Sequence, residues 1–232
     1  MNRTDVAVAT LAWARTSAEE TQLRAALQRL AALQLPIAVG DAGTSESFSE
    51  FLARLPGCDV RVPPQRGLVP QIQASLSAAA AFGTRFILYT EPDKESFFQH
   101  RLLRFIERAP DDDAVGVVLA SRSEESLRTY PPTQRYTESV ASHLCAPLGG
   151  AGDYFYGPFL MNRTLLPALT GLPEGMGWGW RPYAFAQAAR RGLRVLHLVD
   201  DHPCPTDQRA EDDDERTHRL RQLSQNILGL IG

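Results

Sequence analysis

Apolar runs and amphipathic stretches alternate along the first half of the chain. Short apolar runs of the kind that form buried strands lie at residues 5–11, 36–39, 60–62, 86–89 and 114–120. The stretches between them carry apolar residues three and four positions apart, which predicts helices that bury one face. Because strands and helices alternate, we predict a single α/β domain with a mostly parallel sheet flanked by helices.

The second half is less regular. The pattern predicts a polar, mostly helical segment, an aromatic strand, a glycine–tryptophan loop, a helix and a last strand, at residues 121–152, 154–161, 175–180, 182–191 and 195–199. An acidic stretch at residues 211–215 then opens a C-terminal helix, where negative charge suits the helix dipole.

Composition excludes several classes of protein. The net charge of −3 is spread along the chain, which argues against a nucleic-acid partner because phosphate binding needs a basic face. The three cysteines are widely spaced, which indicates a reducing, cytoplasmic compartment and no cysteine-based zinc site. We also expect neither a signal peptide nor a transmembrane segment.

The strand predicted at residues 86–89 is followed by two carboxylates, Glu91 and Asp93, on either side of Pro92. In an extended segment, residues two positions apart point to the same side, so the two carboxylates can converge. Hard divalent cations prefer carboxylate oxygens and often complete their coordination shell with phosphate. The segment is therefore a candidate site for a metal ion and a diphosphate.

Further segments follow in an order that is typical of one enzyme group. They are a strand-end loop at 11–15, an acidic turn at 40–45, a turn and alanine-rich helix at 65–83, the Glu91–Asp93 pair, an aromatic strand at 153–163 and a helix with a closing strand at 179–195. Over residues 5–205 the chain thus resembles the family 2 glycosyltransferases, which have a GT-A (Rossmann-like) fold.

The resemblance implies a metal-assisted transfer of sugar from a nucleotide diphosphate sugar to a small-molecule or carbohydrate acceptor, with Mg²⁺ or Mn²⁺ as cofactor. It implies a nucleotide-sugar-binding half at 1–120, an acceptor-side half at 121–205 and a C-terminal helix at 206–232. The donor residues it implies are Leu11, Trp13, Arg15, Asp41, Arg66 and Glu91. The implied metal ligands are Asp93, Glu91 and His202, and the implied acceptor residues are Trp178, Trp180 and Tyr156.

One position departs from the family pattern. The carboxylate that acts as base in inverting members falls on Arg181, and an arginine cannot accept a proton. Either Glu174 or Asp153 is the base, or the enzyme retains configuration without one, or the chain binds a nucleotide sugar without turnover. A nucleotidyltransferase fits less well, because residues 12–15 lack a glycine-rich basic loop. A cation in the first turn of a helix is unfavourable, so we expect Arg181 to hold an anion, either an acidic group of the acceptor, which we favour, or the donor diphosphate.

Each candidate also has a purely structural interpretation. Asp93 suits the N-cap of a helix, Asp41 the cap of its own turn, and His202 a polar loop. Arg66 suits a solvated turn, and the two tryptophans suit anchors of a flexible loop. The residues that we expect to shape the acceptor pocket are Tyr130, Pro131, Pro132, Gln134 and Arg135.

Overall fold

The computed structural model describes all 232 residues and shows an α/β fold with a seven-stranded, mostly parallel sheet in the order β3-β2-β1-β4-β6-β5-β7. The predicted fold class is therefore confirmed. The strands are β1 (Val6–Ala12), β2 (Ile37–Asp41), β3 (Cys58–Arg61), β4 (Phe86–Tyr89), β5 (Val115–Arg122), β6 (Phe159–Asn162) and β7 (Arg194–Asp200).

Helices connect and cover these strands. They are α1 (Ser17–Ala31), α2 (Glu46–Arg54), α3 (Leu68–Ala81), α4 (Glu95–His100), α5 (Leu102–Arg108), α6 (Glu124–Arg128), α7 (Pro132–Gly149), α8 (Leu166–Leu169), α9 (Trp180–Arg190) and α10 (Asp213–Ile231). Short 3₁₀ helices lie at Arg3–Asp5, Arg163–Leu165, Glu174–Gly179 and Thr206–Gln208. None of the helices combines the length and the apolar character that crossing a bilayer requires.

The first of two compact units comprises Met1–Asp111 and Pro158–Glu174. Strand β1 pairs in parallel with β2 and β4, and β2 pairs in parallel with β3. All seven residues of β1 are buried, as expected for a central strand of a sheet covered on both faces. Residues 158–174 join this unit, although the sequence analysis assigns them to the acceptor-side half, because β6 pairs antiparallel with β4.

The second unit comprises Asp112–Gly157 and Gly175–Gly232. Strands β5 and β7 pair in parallel, and Arg122 lies opposite Asp200 at their carboxyl ends. Helix α9 packs on both strands, and α10 packs on α7 and α9.

Three predicted elements differ from the observed ones. The helix after the carboxylates is broken at Arg101 into α4 and α5. The predicted aromatic strand forms only over β6, and the chain bends before it at Tyr156 and Gly157. The glycine–tryptophan loop contains 3₁₀ turns interrupted at Gly177, and α9 begins at Trp180, two residues before the predicted start. Pro182 is tolerated there because an N–H in the first turn has no intrahelical partner.

Candidate active site

The carboxyl ends of the parallel strands in the first unit bring the predicted donor residues to one edge. Leu11, the next-to-last residue of β1, is buried, whereas Trp13, which follows the strand, is 61% exposed. The Arg15 guanidinium lies 5.7 Å from the centre of the Trp13 ring and forms an ion pair with Glu19 at 2.8 Å. The edge therefore presents an open indole face on which a planar base can stack.

Asp41 ends β2 and is buried. Its Oδ1 accepts hydrogen bonds from the N–H groups of Gly43 and Thr44, both at 3.2 Å, and from the Thr44 hydroxyl at 3.0 Å. The carboxylate thus stabilises its own turn, which is the structural interpretation of this residue. Its role in base recognition stays a prediction.

Gln71 is a residue that the sequence analysis missed. Its buried amide donates to the carbonyl oxygens of Ala12 at 3.2 Å and Gly40 at 3.0 Å, which ties together the ends of β1 and β2. The only signal in the sequence is one amide between the apolar residues Val69 and Ile72 of α3.

The amino-terminal end of α3 is suited to binding an anion. No side chain caps this helix, and Pro70 has no N–H, so the free donors of its first turn are the N–H groups of Leu68 and Val69. Arg66 lies two residues before the helix, is exposed and forms no ion pair within the chain. A guanidinium beside free helix N–H groups is an arrangement that binds phosphate.

Glu91 and Asp93 follow β4 at the same edge. The Asp93 side chain is 45% exposed, and its Oδ2 lies 3.2 Å from the Lys94 ammonium. The N-cap of α4 is Lys94 and not Asp93, so the capping interpretation of Asp93 is not observed. The chain contains no cluster of three or more His, Cys, Asp or Glu side chains arranged to hold a metal ion. The two carboxylates fit a hard cation, but a bound ion would need further oxygen ligands, such as phosphate oxygens.

In the second unit, a buried ion cluster surrounds Arg122. The guanidinium forms two hydrogen bonds with the Asp153 carboxylate, at 2.7 Å and 2.8 Å, and an ion pair with Glu138 at 2.5 Å. Burial alone would raise the pKa of Asp153, but the charge and hydrogen bonds of Arg122 outweigh it and lower this pKa. A buried, paired carboxylate of lowered pKa is a poor proton acceptor, so the assignment of Asp153 as a base is not supported.

His202 is buried in the second unit, and several contacts fix its position. Its ring stacks on Tyr156 with centroids 4.3 Å apart. Its carbonyl oxygen accepts a hydrogen bond from the Tyr130 hydroxyl at 3.0 Å, and its N–H donates to the Ser126 hydroxyl at 2.9 Å. The roles of His202 as a metal ligand and of Tyr156 as an acceptor residue stay predictions.

The two tryptophans of the glycine–tryptophan segment differ in burial. Trp180 is 0% exposed, which makes it a core anchor and unavailable for stacking on a sugar. Arg181 is 6% exposed, and its guanidinium lies 5.0 Å from the Trp178 ring centre and 5.8 Å from that of Phe155. These aromatic faces stabilise the cation and give Arg181 a structural explanation that needs no bound anion. Its role in holding an anionic group stays a prediction. Glu174 is exposed and forms no ion pair.

Two cavities of the second unit share one wall at Glu138. A cavity of about 10 Å³ beside Arg181, also lined by Asn226, has room for one water molecule. A wider groove of about 360 Å³ lies along α6 and α7. The carboxylates lining the groove already have arginine partners: Glu124 pairs with Arg128, and Asp153 and Glu138 pair with Arg122. Arg135, which also lines the groove, is exposed and has no carboxylate partner.

No protein-family model and no curated protein matches the sequence. Solved structures do match its fold. Glucosyl-3-phosphoglycerate synthase from Mycobacterium tuberculosis, solved with Mn²⁺, UDP-glucose and phosphoglyceric acid, aligns with a TM-score of 0.61 and 16% identity over 97% of this chain and 79% of its own.

The same enzyme with Mn²⁺, UDP-glucose and glycerol 3-phosphate gives a TM-score of 0.63 and 15% identity over the same shares. Mannosyl-3-phosphoglycerate synthase from Rubrobacter xylanophilus gives a TM-score of 0.63 and 13% identity over 97% of this chain and 72% of its own. At such low identity, the likeness establishes the architecture: this chain has the GT-A fold of nucleotide-sugar glycosyltransferases.

Proposed function

We propose that the chain is a metal-assisted glycosyltransferase that moves a sugar from a nucleoside diphosphate donor to a small anionic acceptor. The observation that carries the proposal is the edge of the first unit, which collects the exposed Trp13, the uncapped start of α3 with Arg66, and the carboxylates Glu91 and Asp93. These groups suit a base, a diphosphate and a metal ion, and neighbours of the same fold were solved with UDP and Mn²⁺.

On the donor side, the Trp13 indole would stack on the base, and Arg66 with the first N–H groups of α3 would hold the diphosphate. Asp93 and Glu91 would hold Mg²⁺ or Mn²⁺. When bound, such an ion neutralises negative charge on a departing diphosphate, which is where charge develops when a glycosidic bond breaks.

On the acceptor side, we assign the groove along α6 and α7. The acceptors in the neighbouring structures, phosphoglyceric acid and glycerol 3-phosphate, are anions. Arg135 is the groove's one guanidinium without a carboxylate partner, so it can pair with an acceptor anion without breaking an existing ion pair. The groove volume of about 360 Å³ is within the range of small-molecule sites.

The proton acceptor stays open between two possibilities. Glu174 is exposed and not engaged in an ion pair, so of the two candidate carboxylates, Glu174 and Asp153, it is the one that is free to act as base. A mechanism with retention of configuration would need none. No observation favours the alternative of a module that binds a nucleotide sugar without turnover.

The acceptor assignment predicts a selective defect in Arg135→Ala. With UDP-glucose, Mn²⁺ and 3-phosphoglycerate, the KM for the acceptor should rise by about ten- to a hundredfold, the usual effect of losing a charge-assisted hydrogen bond. The rate of donor hydrolysis without acceptor should not change. Arg221→Ala, which removes an exposed arginine of α10, is the matched control. An unchanged acceptor KM in Arg135→Ala would show that the acceptor does not bind in this groove.

A further inference from the structure

The C-terminal helix α10 holds the glycine loop, which we define as residues 175–179 and which leads into Arg181. The Oε1 atom of Gln225 accepts a hydrogen bond from the Trp178 N–H at 3.0 Å. No side chain caps α9, so this bond gives a partner to a backbone donor just before the helix begins. The conformation of the loop therefore depends on a side chain 47 positions further along the chain.

Glycines allow α10 to approach the loop this closely. Gly177 has φ 51° and ψ −132°, a backbone conformation that favours glycine, and a Cβ on it would overlap the Gln225 amide. Gly179 packs against the backbone of α10: a Cβ on Gly179 would overlap the Gln225 carbonyl oxygen, and a Cβ on Gly229 would overlap the Gly179 carbonyl oxygen. Close packing on both sides of Trp178 leaves the loop little freedom to move while α10 is in place.

The loop also determines the surroundings of Arg181. The Trp178 ring lies over the Arg181 guanidinium at 5.0 Å, so moving the loop would uncover the cation. Asn226, the residue after Gln225, is buried and lines the cavity beside Arg181. Its Oδ1 has no hydrogen-bond partner within the protein, so that cavity is a polar one. Glu138 lines both this cavity and the acceptor groove.

We propose that Gln225 is a positioning residue for the acceptor side of the site. By holding the Trp178 amide, it keeps the glycine loop over Arg181. It thereby preserves the position of Glu138, which lines both the Arg181 cavity and the acceptor groove. This role rests on the proposed function, because it presupposes an acceptor in that groove. The assigned donor residues all belong to the first unit, so a change at Gln225 should affect the acceptor and not the donor.

The test compares Gln225→Ala, Gln225→Glu and the control Ser224→Ala, an exposed position of the same helix. Hydrogen–deuterium exchange of the Trp178 amide should accelerate by about tenfold or more in Gln225→Ala, because its acceptor is lost. The KM for 3-phosphoglycerate should rise by about fivefold, with donor hydrolysis unchanged. Gln225→Glu keeps an acceptor oxygen at this position and should restore both properties, whereas Ser224→Ala should change neither.

Unchanged exchange of the Trp178 amide in Gln225→Ala would overturn the proposal, since the loop would not depend on this side chain. Faster exchange with an unchanged acceptor KM would also overturn it, while leaving the proposed transferase intact. Absence of transfer and of donor hydrolysis in the wild-type chain would instead overturn the proposed function, and with it this role.

Discussion

Replacing Asp93 by alanine should abolish the metal-dependent binding of UDP while leaving the fold intact. The side chain is 45% exposed and does not cap α4, so removing it should cost little stability. Its loss leaves Glu91 as the only carboxylate of the pair, and the chain has no preformed cluster of three metal-binding side chains to compensate. A hard divalent cation held by one carboxylate and phosphate oxygens should dissociate readily.

Calorimetry of UDP binding with and without Mn²⁺ measures this effect. In the wild type, Mn²⁺ should strengthen UDP binding, and in Asp93→Ala it should not. Asp111→Ala removes an exposed aspartate of the same unit and is the control. Equal Mn²⁺-dependent affinities in the wild type and in Asp93→Ala would show that the metal site lies elsewhere.

Arg122→Met should destabilise the fold strongly, because it removes the cation at the centre of a buried ion cluster. The carboxylates of Asp153 and Glu138 lose their counter-ion, and breaking a buried pair in this way costs about 3–5 kcal/mol. Arg128→Met removes an exposed arginine paired four residues away with Glu124, and should cost less than about 0.5 kcal/mol. Urea denaturation of both variants measures the difference, and equal midpoints would contradict a stabilising role for the cluster.

The cost of Arg122→Met should depend on pH. In the wild type, the pKa of Asp153 is lowered, so its contribution to stability is present above the ordinary carboxyl pKa of about 4 and is lost as the pH falls through the folded-state value. In the variant, burial without the guanidinium should raise this pKa, so acid should favour its folded state. The difference in unfolding free energy is therefore expected to be largest at neutral pH and to narrow below about pH 4. A difference in unfolding free energy that grows as the pH falls would contradict this prediction.

The sequence was most informative where a short pattern determines local structure. The apolar run of β1 and the carboxylates after β4 could be placed because strand ends in a parallel sheet meet at one edge. Trp13 and Arg66 were proposed through the resemblance to family 2 glycosyltransferases, and the structure leaves both side chains exposed.

The remaining features depend on contacts between distant positions. Arg122 and Asp153 are 31 positions apart, so neither the buried pair nor the unsuitability of Asp153 as a base was visible in the sequence. The Phe155 ring that lies 5.8 Å from the Arg181 guanidinium is 26 positions away, so this aromatic contact of the cation was not visible in the sequence either. Tertiary packing, and not local propensity, determines these roles.

Release of UDP from UDP-glucose is the measurement that tests the central claim most directly. The wild-type chain is incubated with a panel of nucleoside diphosphate sugars that includes UDP-glucose, with Mn²⁺, and with or without 3-phosphoglycerate. We expect free nucleoside diphosphate from at least one donor, stimulation by the acceptor together with a new glycoside, and loss of both products in Asp93→Ala or when Mn²⁺ is chelated. No release from any donor, or release that Asp93→Ala and chelation leave unchanged, would contradict a metal-assisted glycosyltransferase.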